Sequence, residues 1–166
     1  MEENKKEIDV LKLGNELTFR RYLFSKAQIT RVLNVPDYIA LYIIKETGNA
    51  QEIYGGKTYL KDLSEKMQMS IRQTSKLVGN LKDRGLIKWL HDGDGSDGTY
   101  VTITGEGDKL LEQQQAVFKE YYGKVIAKFG KDNLIQLLNL MKQLATVMSS
   151  ELEGMEAVDN VNGRDD

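Results

Sequence analysis

Ser70, Ile71, Arg72 and Gln73, with Lys76 and Asn80 following at helical spacing, gather the most chemically capable side chains of the sequence along one stretch. An Arg guanidinium pairs with both acceptors of a guanine edge, a Gln carboxamide pairs with both groups of an adenine edge, and Ile71 suits a thymine methyl. Lys76, one turn further on, suits a phosphate oxygen. From Lys57 to Lys88 the basic residues Lys57, Lys61, Lys66, Arg72, Lys76, Lys82, Arg84 and Lys88 face only Asp62, Glu65 and Asp83. A positive module therefore sits inside a chain whose net charge is −2, a distribution suited to phosphate contact. The plain alternative is a solvated charged helix face, and the hairpin signal that follows weighs against it.

Other chemistry is sparse. The sequence has no Cys and one His, which removes disulfides, zinc-thiolate sites, iron–sulfur clusters and thiol catalysis together. It also shows no nucleophile–base pair and no phosphate-cradling glycine loop, so an enzyme is a distant third reading. Neither metal nor cofactor is expected. His91 has no second His or Cys beside it and reads as a solvated polar residue. The stretch DGDGSDG looks like a calcium loop, but the twelfth position of such a loop falls near Ile103, which is not acidic. A glycine-rich hairpin turn is the simpler account.

The elements that must hold these residues follow from periodicity. Ile8 to Val32 reads as one long helix, with Ile8, Leu11, Leu17, Tyr22, Phe24 and Ile29 as apolar positions. Pro36 opens a nearly all-round apolar helix that stops at Gly48, and residues 48–57 read as a loop with three glycines. Thr58 and Tyr59 suit a short strand, and LKDLSEKM a short helix closed by a corner at Gln68 and Met69. Ser70 is the natural N-cap of the next helix, whose apolar stripe is Thr74, Leu77, Val78 and Leu81 and whose stop is Gly85. Strands near Ile87–Leu90 and Thr99–Thr104 flank an Asp/Gly-rich turn, with Trp89 packing beneath it. Helices follow from Gly105 to Phe129 and from Asp132 to Leu152, and the acidic remainder reads as disordered.

Helix, corner, helix and hairpin in that order define a winged helix. The fold class expected is mainly α with a small β hairpin: a winged helix-turn-helix over residues 36–104, flanked by dimerisation helices over 1–34 and 105–152, with a tail over 153–166. The Leu/Met-rich last helix and the apolar first helix each leave a stripe without an evident intrachain partner, and a two-fold dimer buries both; a closed monomeric bundle is the alternative. The acidic N-terminus and the lack of an apolar run of about 20 residues lead us to expect a cytoplasmic protein without a membrane segment.

The stretch YLKDLSEKMQMSIRQTSKLVGNLKDRGLIKW and then VTITGEGDKLL, with its Leu-x-x-Arg-Gly-Leu-Ile ending and its Thr-x-x-Gly step into the next helix, resembles the MarR family of transcriptional regulators. The resemblance implies a homodimer that binds double-stranded DNA at a pseudo-palindromic operator, most often as a repressor, and a small-molecule effector that weakens binding. In a helix-turn-helix the second helix lies in the major groove, which places Ser70, Ile71, Arg72, Gln73 and Lys76 at the DNA, with Asn80 on the same stripe and Lys57, Lys82 and Arg84 as further contacts. The resemblance also implies a ligand cleft, for which Tyr22, Tyr38, Tyr42 and Tyr59, with Phe24, are the candidates; aromatic residues at helical spacing equally read as core. The missing Cys excludes thiol-based oxidant sensing.

The wing departs from that family. HDGDGSDGT carries Asp92, Asp94 and Asp97 where the family usually has a turn arginine, and an acidic tip is repelled by phosphate. The wing is therefore expected to add little affinity. The acidic wing and tail also keep open a second class of function, a winged helix that binds a basic protein partner.

Overall fold

The computed structural model describes residues 2–27, 29, 32–50, 56–93 and 98–162, and the chain divides into two compact units, residues 1–116 and 117–166. The elements are α1 (Glu2–Lys26), α2 (Val35–Ala50), β1 (Thr58–Tyr59), α3 (Leu60–Met67), α4 (Ile71–Asp83), β2 (Ile87–His91), β3 (Thr99–Ile103), α5 (Gly105–Phe129) and α6 (Lys131–Asn162). A mainly helical winged fold is what the sequence led us to expect.

The core of the first unit is built by α2, α3, α4, the sheet and the start of α5. Leu41 and Ile44 from α2, Leu63 from α3, Val78 and Leu81 from α4, Val101 from β3 and Leu111 from α5 are almost fully buried together. Each such aliphatic side chain contributes about 1.5–3 kcal/mol through the area it removes from water. The expected hairpin is part of a three-stranded antiparallel sheet ordered β1-β3-β2, because Thr58 and Tyr59 pair with Val101 and Tyr100 along the free edge of β3. Trp89 pairs with Val101 across β2 and β3 and packs on the core from beneath the wing.

Local chemistry sets the helix ends. Asn34 Oδ1 accepts from Asp37 N at 2.9 Å and starts α2 around Pro36; the helix ends at Ala50, two residues past the expected stop at Gly48. Gln68 takes the left-handed conformation at φ 53°, and Met69 N donates back to Ser64 O at 3.0 Å, which makes the corner between α3 and α4.

The ends of the first and last helices also differ from the sequence reading. The first helix ends at Lys26 rather than near Val32, because the backbone N–H groups of Val32 and Leu33 both donate to Gln114 Oε1, at 3.2 and 3.1 Å. Leu33 enters the core there, and the β-branched residues around it favour leaving the helix. The last helix continues ten residues beyond Leu152, to Asn162, where a disordered tail was expected from residue 153. Gly154 costs a helix interior about 1 kcal/mol relative to alanine, and the good helix formers Met155, Glu156 and Ala157 carry the helix past it. The second unit turns at Gly130, φ 100°, where Gly130 N donates to Ile126 O and Asn133 Nδ2 donates to Phe129 O, both at 2.8 Å.

Candidate nucleic-acid interface

The candidate interface is the outer face of α4. Ser70 Oγ accepts from Gln73 N at 3.1 Å while Ser70 N donates to Gln73 Oε1 at 3.0 Å, a reciprocal capping box that fixes where the helix begins. Thr74, Val78 and Leu81 are buried, whereas Ile71, Arg72, Gln73, Lys76 and Asn80 are exposed. The helix is amphipathic in the sense read from sequence. Its outer face carries two cations, two carboxamides and an apolar side chain half exposed to solvent, and it holds no acidic residue until Asp83.

Around α4 the expected residues divide. Lys82 is exposed on the last turn. Lys57 lies before β1, with its ammonium 4.8 Å from the centre of the Tyr100 ring, a cation–π contact that holds it beside the sheet. Arg84 is engaged within the fold: its Nη1 donates to Asp37 Oδ2 at 2.9 Å, and the Asp37 side chain is only 10% exposed. The guanidinium therefore ties the end of α4 to the start of α2 while the Arg84 side chain stays 45% exposed. Gln73 is also partly committed, since the adenine pairing needs both amide groups and its Oε1 already accepts from Ser70 N. Arg72 is the side chain on this face best placed for two-point contact with a base.

At the base of the wing, Tyr59 donates its hydroxyl hydrogen to Asp92 Oδ2 at 2.9 Å and meets Tyr100 edge-on. His91 is exposed, and its Nδ1 accepts from Gly93 N at 2.9 Å. Asp94, Asp97 and the rest of the wing tip, and with them the calcium-loop alternative, lie outside the described residues.

The tyrosines expected to share a cleft are distributed over several contacts. Tyr38 and Tyr42 stack along α2 with centroids 6.3 Å apart, Tyr22 lies beneath the Lys26 ammonium on α1, and Tyr59 belongs to the wing base. A cavity of about 290 Å³ instead opens between the end of α2, Gly56, β3 and the start of α5. Ile44, Lys45, Asn49, Thr102, Ile103 and Asp108 line it. Lys45 hydrogen-bonds Asp108 and lies 3.9 Å from Glu112. The bond to Asp108 raises the lysine pKa above its ordinary 10.5 against the opposing effect of burial.

The junction between wing and α5 explains the Thr-x-x-Gly step. Thr104 Oγ1 donates to Gly85 O at 2.7 Å and accepts from Gly107 N at 3.1 Å, and Thr104 N donates to Leu86 O at 3.1 Å. One threonine thus caps α5 and fastens it to the turn that ends α4. Gly107 is required because a Cβ there would lie 2.1 Å from Leu86 O. Sequence reasoning missed the Asp37–Arg84 and Lys45–Asp108 pairs and the Gln114 bridge, all between residues more than 40 positions apart. A buried Gln inside an amphipathic helix was the only available signal, and it does not name its partner.

A capped, outward-facing second helix after a tight corner, followed by a three-stranded wing, defines a winged helix-turn-helix. Among solved structures the chain is similar to a MarR family regulator from Neisseria meningitidis, at 21% identity over 87% of this chain and 96% of that one, with a TM-score of 0.63. It is similar to MepR of S. aureus in a DNA complex, at 18% identity, 80% and 97% coverage and a TM-score of 0.63. It is also similar to the PcaV transcriptional regulator of Streptomyces coelicolor in complex with its natural ligand, at 18% identity, 81% and 89% coverage and a TM-score of 0.60. No family model and no curated protein matches the sequence. The fold of these regulators is therefore the fold of this chain. Among the described residues no helix is long and apolar enough to cross a membrane.

Proposed function

We propose that this chain is a homodimeric transcriptional regulator of the MarR type that reads a pseudo-palindromic operator with α4 and acts as a repressor. The observation that carries the reading is the division of α4, whose apolar stripe is sunk in the core while Arg72, Lys76 and Asn80 stand exposed behind a capped N-terminus. A recognition helix needs this arrangement, with its first turns at the base edges and its cations at phosphate.

Self-association follows from the flanking helices. On α1, Val10, Leu11, Leu13, Phe19 and Phe24 are more than half exposed, and α6 exposes Leu138, Met141, Leu144 and Leu152. So much apolar surface on two helices calls for a partner, and a two-fold copy also sets two α4 helices about one DNA turn, ~34–36 Å, apart. A small-molecule effector completes the reading, supported by the ligand complex of a protein with this fold.

The test is selection of bound sequences from a random duplex pool at two salt concentrations. Enrichment of a two-fold symmetric site with half-sites one helical turn apart is the expected result. Weak, salt-sensitive retention without enrichment would overturn it and favour the reading in which the acidic wing faces a basic protein.

A further inference from the structure

The capping box at the start of α4 decides which half of the Gln73 carboxamide is left for a partner. Ser70 N is a donor and only an acceptor can meet it, so the atom 3.0 Å away is Oε1, and both hydrogens of Nε2 remain. The arrangement is braced on either side: Gln73 N donates to Ser70 Oγ at 3.1 Å, and Thr74 Oγ1, on the buried stripe, donates to Ser70 O at 2.9 Å. Gln73 itself is exposed, and Nε2 has no partner among the described residues.

The neighbouring groups have the same character. Arg72 and Lys76, both exposed, carry donors and no acceptor. The first turn of α4 holds no acidic residue, and its leading N–H groups meet no carbonyl of their own helix. Asn80, the next exposed carboxamide, lies seven residues on, about 10 Å along the helix axis. The base edges of the major groove are divided in the complementary sense: guanine sets the acceptors O6 and N7 side by side, whereas cytosine N4 and adenine N6 donate. A free glutamine answers adenine because it brings an acceptor to N6 and a donor to N7 at once. With Oε1 held by Ser70 N, the acceptor half is spent, and reaching adenine would take Oε1 out of the box and give up the bond to Ser70 N.

We propose that Gln73 reads guanine: Nε2 donates to its O6 or N7 while Oε1 stays in the cap, so that the base under Gln73 is guanine and not the adenine that an uncommitted glutamine pairs with. The proposal rests on the DNA-binding reading and adds to it the identity of one base in each half-site. The same side chain then starts the helix and sets its specificity.

Selection from the random duplex pool with the full-length parent, Gln73→Ala and Gln73→Glu tests it, with helicity and melting followed for each. The position under Gln73 is the one whose preference Gln73→Ala loses. Glutamate keeps the box, since one carboxylate oxygen accepts from Ser70 N, and it turns the outward group from donor to acceptor. The parent should select guanine at that position and Gln73→Glu should select cytosine, whose N4 donates to a carboxylate; each should prefer its own site about tenfold over the other's. Any base but guanine there in the parent overturns the assignment while DNA binding stands, and so does a Gln73→Glu protein that does not move to cytosine. An identical site selected by the parent and Gln73→Ala also overturns it, leaving Gln73 to the cap alone. A parent that enriches no site overturns the DNA-binding reading itself.

Discussion

Replacing Gly107 by alanine puts a methyl group where the backbone of another element already lies. The new Cβ would be 2.1 Å from Leu86 O, 2.9 Å from Ile103 Cγ1 and 3.0 Å from Leu86 C. The first contact is roughly 1 Å or more too short, and its partner is a backbone carbonyl that already accepts from Thr104 N at 3.1 Å. Relief requires the first turn of α5 to withdraw from the turn after α4. Overpacking of this kind costs about 1–3 kcal/mol, and stretching the Thr104 bonds to Leu86 O and Gly85 O adds about 0.5–1.5 kcal/mol each. The better helix propensity of alanine returns at most about 1 kcal/mol. A net loss of about 2–4 kcal/mol corresponds to a fall in Tm of roughly 5–15 °C for a chain of this size. Gly79→Ala is the control: a Cβ at Gly79 meets nothing within 4 Å, so this substitution in the middle of α4 should stabilise by about 0.5–1 kcal/mol. Thermal and urea unfolding of both variants checks the argument. A Gly107→Ala protein that melts with the parent would refute the close approach of α5 to Leu86.

Three further outcomes are expected. Ser70→Ala removes the acceptor for Gln73 N and should lower stability by about 1 kcal/mol, read as a shift in urea midpoint at unchanged slope, while Ser70→Asp retains most of it. Arg84→Ala strips the nearly buried Asp37 carboxylate of its guanidinium; the half-exposed partner limits the loss to about 1–3 kcal/mol, and a double-mutant cycle with Asp37→Asn should give a coupling well above zero. For Lys45, whose folded pKa is raised above 10.5 by its bond to Asp108, the stabilisation is fully present below 10.5 and is lost as pH rises through the folded value. The Tm deficit of Lys45→Met should therefore be equal at pH 6 and pH 9 and narrow only above about pH 10.5; a deficit that vanishes between pH 6 and 9 would contradict the pairing.

The winged-helix module was legible because its signals are local. Ser70 and Gln73 form their capping box three residues apart, Gly85 ends that helix, and β-branched or aromatic residues on both sides of an Asp/Gly-rich turn mark the sheet. What was not legible is long-range. Val32 leaves the first helix as a carboxamide 82 positions later takes its N–H, and Arg84 is tied to Asp37, 47 positions earlier. The charge of Arg84 was visible in sequence; its partner was not. The last helix outran its expected end for a different reason: the tail read as disordered from its acidic, weakly apolar composition, whereas Met155, Glu156 and Ala157 are good helix formers.

The central claim, that α4 reads sequence through Arg72 and holds phosphate through Lys76, is tested most directly by measuring both alanine variants on the selected duplex and on a scrambled duplex across a salt series. The account predicts that Arg72→Ala loses roughly 10–100-fold on the selected site and little on the scrambled one. It predicts that Lys76→Ala weakens both alike and flattens the salt slope. Equal losses on both duplexes for Arg72→Ala would contradict it.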